Sequence, residues 1–158
     1  MLRKNPESKA ETGDGSGTFA IIASRYNARY VDAMLRAAKA ELWRAEVSRI
    51  QIVRVPGAYE IPLLAKRLAR TIPDLSAILC LGVVIRGETE HAEHIGSTVS
   101  RALMEIQLAY EIPVIHEVLV LENEEQAHVR CLDPEHNRGT EAAQTALAMA
   151  HVLKSLRS

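Results

Sequence analysis

Between Arg86 and His91 the chain reads R-G-E-T-E-H, a set of residues able to hold an anion and to move a proton. An uncharged apolar run ends just before it, and the next helical pattern opens around Glu90, so Gly87, Glu88 and Thr89 stand at a helix N-terminus. Free backbone N–H groups there attract anions. Arg86 adds a cation, Thr89 a hydroxyl, and His91 an imidazole able to give or take a proton. A small phosphorylated substrate fits that chemistry. The same residues also make an ordinary turn at Gly87 and an N-cap at Thr89, with His91 a solvated side chain, so the local pattern serves a site and a plain helix start equally.

What positions this loop is the run before it. Ala77 to Ile85 (A-I-L-C-L-G-V-V-I) carries no charge and is rich in Val, Ile and Leu, the pattern of a central strand buried on both faces of a parallel sheet. Open α/β sheets bind ligands beyond the carboxyl ends of such strands. Three more strands are expected at Thr18–Ser24, Ile50–Val55 and Val114–Leu121. Apolar residues at Val31, Met34, Leu35, Ala38, Leu42 and Ala45 predict an amphipathic helix over Tyr30–Glu46. A second helix is expected over Glu60–Ala69, with Pro62 in its first turn, and a third over His91–Tyr110, left at Pro113. A short helix over Glu122–Arg130 with Asn123 as N-cap and an alanine-rich one over Arg138–Leu156 complete the chain. The order βαβαβαβαα predicts a flavodoxin-like α/β three-layer sandwich, a four-stranded parallel sheet flanked by helices.

At 158 residues the chain has room for one domain, expected at 18–158 behind a flexible tail at 1–17 that lacks any periodicity. Hydrophobic residues make up 47% and charged residues 25%, with a formal net charge of −1, the balance of a soluble globular protein. Dispersed basic residues and 4% aromatic content argue against a nucleic-acid partner. Cys80 and Cys131 are expected as free thiols of a reducing compartment. No apolar stretch suits a signal peptide or a bilayer span, so the expectation is a cytoplasmic protein without a membrane partner.

If all strands are parallel, their carboxyl ends collect Tyr26 and Asn27, then Pro56 to Glu60, then Arg86 to His91, then Glu122 and Asn123 along one edge. The Tyr26 face suits a planar ring, Glu60 suits hydroxyls, and Gly87-Glu88-Thr89 suits a phosphate beside His91. Plain packing with the hydroxyl in water is the ordinary fate of a lone tyrosine such as Tyr26 or Tyr59, and it is the clustering that favours a site.

These pieces resemble the 6,7-dimethyl-8-ribityllumazine synthase family. The resemblance rests on S-R-Y-N at Ser24–Asn27, V-P-G-A-Y-E-I-P at Val55–Pro62, G-V-V-I-R-G-E-T-E-H at Gly82–His91, P-V-I at Pro113–Ile115, E-Q-A at Glu125–Ala127 and N-R-G-T-E-A-A at Asn137–Ala143. It implies condensation of 5-amino-6-ribitylaminouracil with 3,4-dihydroxy-2-butanone 4-phosphate, releasing phosphate and water, with no metal or organic cofactor. It also implies a homo-oligomer, a pentamer or a capsid of pentamers, with active sites between neighbouring subunits. By the resemblance His91 is the catalytic histidine and Tyr26 replaces a phenylalanine that stacks on the pyrimidine. Ala58 and Glu60 hold the ribityl chain, Glu88 and Thr89 lie on the phosphate loop, and Arg130 reaches the phosphate from the adjacent subunit. Asn27, Gly57, Tyr59, Val83, Val84, Ile85 and His116 also fall at substrate-binding positions, and Arg138 stands where a lysine is usual.

Two departures stand out against that pattern. Ala92 replaces an aromatic residue after the histidine, and His116-Glu117 stands in place of Phe-Gly inside an otherwise apolar strand. The pair is expected to find partners in each other, in Arg130 or Arg138, or in a neighbouring subunit. A binding module that keeps a lumazine-sized ligand without efficient turnover, and a shell-forming protein with residual chemistry, are the competing functions on the same scaffold. His91, Thr89, Glu60 and Arg130 together favour the enzyme.

Overall fold

Strand and helix periods in the sequence map onto the chain as a βα alternation, seen in a computed structural model that describes residues 16–87 and 89–157. The elements are β1 (Thr18–Ser24), α1 (Ala28–Arg44), β2 (Arg49–Val55), a 3₁₀ turn (Ala58–Glu60), α2 (Ile61–Thr71), β3 (Leu75–Ile85), α3 (His91–Tyr110), β4 (Val114–Leu121), α4 (Glu124–Cys131) and α5 (Arg138–Ser155). The four strands form one parallel sheet in the order β2-β1-β3-β4. That is the expected α/β three-layer arrangement. The expected tail lies outside the described residues except for Ser16 and Gly17.

Because strand side chains alternate, the two central strands feed two cores. Phe19, Ile21, Ala23, Leu79 and Leu81 pack against α1, α4 and α5, whereas Ala20, Ile22, Ile78 and Cys80 pack against α2 and α3. β2 and β4 are the edges. Between α1 and α5 the approach is close: a Cβ on Gly139 would stand 2.0 Å from the Met34 carbonyl oxygen, so only glycine fits there.

Element ends depart from the sequence expectation where a side chain decides them. α1 opens at Ala28 because Asn27 takes a left-handed conformation (φ 57°), which asparagine tolerates. Its side chain donates to Val83 O (2.7 Å) and does not cap the helix. After Pro56-Gly57 the chain makes the 3₁₀ turn before α2 begins, held by the Glu60 carboxylate accepting from the Gly57 N–H (3.0 Å). Asn123 caps α4 as expected, accepting from the Gln126 N–H (2.9 Å). Both cysteines are free and buried. Among the described residues no helix is long and apolar enough to cross a membrane.

Candidate functional site

The turn after β1 is built from its backbone outward. The Arg25 N–H donates to Val55 O (2.8 Å) and Pro56 O (3.0 Å), and the Tyr26 N–H to Pro56 O (3.0 Å), which fastens the turn to the end of β2. Asn27, through Val83 O, fastens it to β3. Tyr26 is therefore fixed at its main chain while the residue as a whole is 68% exposed. That ring lies against Gly57, where a Cβ would come within 2.9 Å of Tyr26 Cδ2 and 3.1 Å of Glu60 Oε2. Tyr26, Gly57 and Glu60, from two separate loops, thus meet at the carboxyl edge of the sheet, with Ala58 buried behind them and Tyr59 exposed beside them. Val83, Val84 and Ile85 end β3 at the same edge. An open aromatic face beside a carboxylate suits a planar ring carrying hydroxyls.

Beyond Ile85 the loop differs from expectation in one respect. Arg86 does not present a spare cation for an anion: its Nη1 is paired with Glu93 and its Nε with Glu122 (2.9 Å). Two carboxylates, one in the first turn of α3 and one just past β4, thus already flank the guanidinium. Thr89 does not cap α3 either, since Glu90 occupies the N-cap position and makes no side-chain cap bond. Gly87 faces open space, and His91, exposed, is the first residue of the helix. Glu88 lies outside the described residues.

The remaining candidates belong to a different part of the chain. His116 pairs in register with Cys80 and Leu121 with Ile85, so His116 lies five residues before the edge. That is roughly 16 Å of strand at about 3.3 Å per residue. His116 is exposed on the side of α2 and α3, and its Nδ1 accepts from the Val118 N–H (3.2 Å), which leaves Nε2 as the outward nitrogen. Partial withdrawal from water lowers its pKa, and its own backbone hydrogen bond opposes that in part. Glu117 points to the opposite face, so the two neighbours do not pair with each other. It sits under α5, where burial pushes its carboxyl up to about 7; nearby Arg138 counters this and Glu141 adds to it.

Arg138 opens α5 and donates from Nη1 to Glu141 Oε2 (2.9 Å), while its Nε is buried with no hydrogen-bond partner among the described residues. Asn137 holds the start of this helix, accepting from the Gly139 N–H (2.7 Å) and donating to Cys131 O (2.7 Å). The side chain of Arg130, half-buried on α4, makes no hydrogen bond or salt bridge among the described residues. One chain therefore brings Tyr26, Asn27, Gly57, Glu60 and the β3 end together, and keeps His116 well down β4, away from that edge. Arg54, which the sequence reading passed over, also belongs to the first group, its only sequence signal being a charge inside a strand just before Val55-Pro56-Gly57.

A family model described as 6,7-dimethyl-8-ribityllumazine synthase matches residues 16–154. The 6,7-dimethyl-8-ribityllumazine synthase of Stenotrophomonas maltophilia (strain R551-3) is 42% identical over 143 residues, which cover 89% of this chain and 92% of that protein. The 6,7-dimethyl-8-ribityllumazine synthases of Xanthomonas campestris pv. campestris (strain B100) and Xanthomonas axonopodis pv. citri (strain 306) are 41% and 40% identical over 140 residues, covering 87% of this chain and 90% of each relative.

Proposed function

The chain belongs to the 6,7-dimethyl-8-ribityllumazine synthase family, and from that premise we infer how its residues divide the family's reaction. The activity is a transferase step of riboflavin biosynthesis, joining 5-amino-6-ribitylaminouracil to 3,4-dihydroxy-2-butanone 4-phosphate with loss of phosphate and water. Joining an amine to a ketone and expelling phosphate both require protons to be moved, and His91 is assigned that work as general acid and base. Tyr26 stacks on the pyrimidine above Gly57. Asn27, Ala58, Tyr59 and the β3 end at Val83, Val84 and Ile85 line its place, and Glu60 accepts from the ribityl hydroxyls. The phosphate takes the helix start at Glu88 and Thr89, where the N-terminal N–H groups of α3 favour an anion.

His116, Arg130 and Arg138 complete the site of a neighbouring subunit in this reading, with Arg130 on the phosphate. The observation that carries the assignment is the contact of Tyr26, Gly57 and Glu60 at the same sheet edge from which α3 opens with His91. The position of His116 five residues before the edge of its own sheet supports giving it to a second site. The family implies small-molecule substrates and an oligomer; pentamers, free or joined into a capsid, are the assembly this reading requires, and the cytoplasm is its compartment.

Mixing the purified protein with both substrates and following lumazine absorbance tests the reaction. No product with either substrate in excess overturns it. Light scattering tests the shared site, since a clean monomer at micromolar concentration leaves no neighbour to supply Arg130.

A further inference from the structure

We infer that Arg54 is a positioning residue for the ring-binding turn: touching no substrate, it holds Tyr26 and Asn27 in place by fastening the end of β1 to α1. The inference rests on the reading that Tyr26 stacks on the pyrimidine. Arg54 lies on β2 opposite Ala23, one residue before Val55. Its Nε donates to Ala23 O (3.2 Å), and its Nη2 donates to Ser24 O (3.1 Å) and to Asp32 Oδ1 (2.7 Å).

Each bond acts on the same few residues. Ser24 is only 1% exposed, so its carbonyl oxygen has little access to water where the chain leaves the sheet. The guanidinium supplies a donor there and, through Asp32, ties that point to the second turn of α1. From the other side, the carbonyls of Val55 and Pro56 accept from the Arg25 and Tyr26 N–H groups. Side chain and main chain of one β2 segment thus grip the turn between them, and Asn27 is left in its left-handed conformation at the end of the grip. A planar fork with fixed N–H directions suits this; an ammonium ion offers one point charge and cannot reproduce the geometry. A small displacement of the turn moves the Tyr26 ring relative to Gly57 and Glu60, and sites held more loosely bind and react less well.

The test uses the full chain as it assembles, with Arg54→Lys and Asp32→Asn compared to wild type. For Arg54→Lys the expected result is a KM for the ribitylaminouracil raised about 5-fold or more, as a mispositioned stacking face requires, with the KM for the butanone phosphate changed less than about 2-fold. Asp32→Asn keeps the two carbonyl bonds and shows the same split at smaller size. It also decides the matter if Arg54→Lys does not fold. Equal rises for both substrates, or a lowered melting temperature with unchanged constants, overturn the positioning role and leave Arg54 a purely structural arginine. Wild type is assayed first: failure to make product there overturns the family reaction, whereas an active wild type with no split in the variants overturns this inference alone.

Discussion

The turn after β1 and the region around β4, α4 and α5 hold their polar groups in opposite ways. At the turn, Asn27, Glu60 and Arg54 all bond within the chain, and the Tyr26 ring is left as the open surface. Around β4 and α5, among the described residues, the Arg130 side chain makes no hydrogen bond or salt bridge and the buried Arg138 Nε has no partner, while burial pushes the Glu117 carboxyl up to about 7. A buried donor left unsatisfied costs about 1–3 kcal/mol, so the second region gains from whatever supplies its missing partners. The contrast separates a region whose polar groups are satisfied within one chain from a region that leaves some of its own unsatisfied.

The largest expected effect tests the proposed assignment of His91. His91→Ala should slow turnover about 10²-fold, the usual worth of a positioned acid or base, while ribitylaminouracil binding survives because the turn that stacks it is untouched. Steady-state kinetics with a binding titration reads both; wild-type turnover would reduce His91 to the first residue of a helix. In the second region, Arg130→Ala should raise the KM for the phosphorylated substrate about 10- to 100-fold, as loss of a charge-assisted hydrogen bond of roughly 1.5–3 kcal/mol requires. The KM for the uracil should barely move. Parallel loss for both substrates would erase the distinction between the two regions.

Glu117 sharpens the contrast through pH. Its folded pKa, about 7, lies above the ordinary 4.5, so the folded chain retains a proton that the unfolded chain releases. Stability is then lost as pH rises from about 4.5 through about 7 and is level above that. Glu117→Gln should remove this slope and gain about 1–2 kcal/mol at pH 8, after discounting the full shift for the partly exposed side chain. Denaturant unfolding at pH 5 and pH 8 measures it, and an unchanged slope rules out Glu117 as the group responsible. The smallest effect is expected from His116→Phe: a few-fold tighter ribitylaminouracil, less than about 1 kcal/mol, from a restored apolar wall. Unchanged affinity with a lower melting temperature would make His116 a structural contact and no part of a pocket.

Legibility followed the range of the forces involved. β1, α3 and β4 have the limits expected of them because apolar runs and Pro113 act locally. The starts of α1 and α2 were displaced because Asn27 and Glu60 spend their side chains on hydrogen bonds that no periodicity records. The clustering of Tyr26 with Glu60 was readable once the strands were taken as parallel, since both then fall at one edge. Arg86 was misread because its partner Glu122 lies beyond the neighbouring strand, and only the β3–β4 pairing brings them together. The separation of His116 from that edge was legible in β4 alone, since the expected limits Val114–Leu121 already put it five residues before the carboxyl end.

The two buried cysteines give this contrast a clock. Burial drives the Cys80 thiol far above its ordinary range and the Cys131 thiol up to about 11, so both stay protonated at neutral pH and resist alkylation while folded. Cys80 lies in the central strand β3, and Cys131 ends α4, where its carbonyl receives the Asn137 side chain. Modification of either thiol therefore waits on an opening of its own surroundings. If α4 and α5 loosen first, Cys131 is labelled ahead of Cys80, and the order in which one reagent reaches two sulfur atoms dates the yielding of one region against the other.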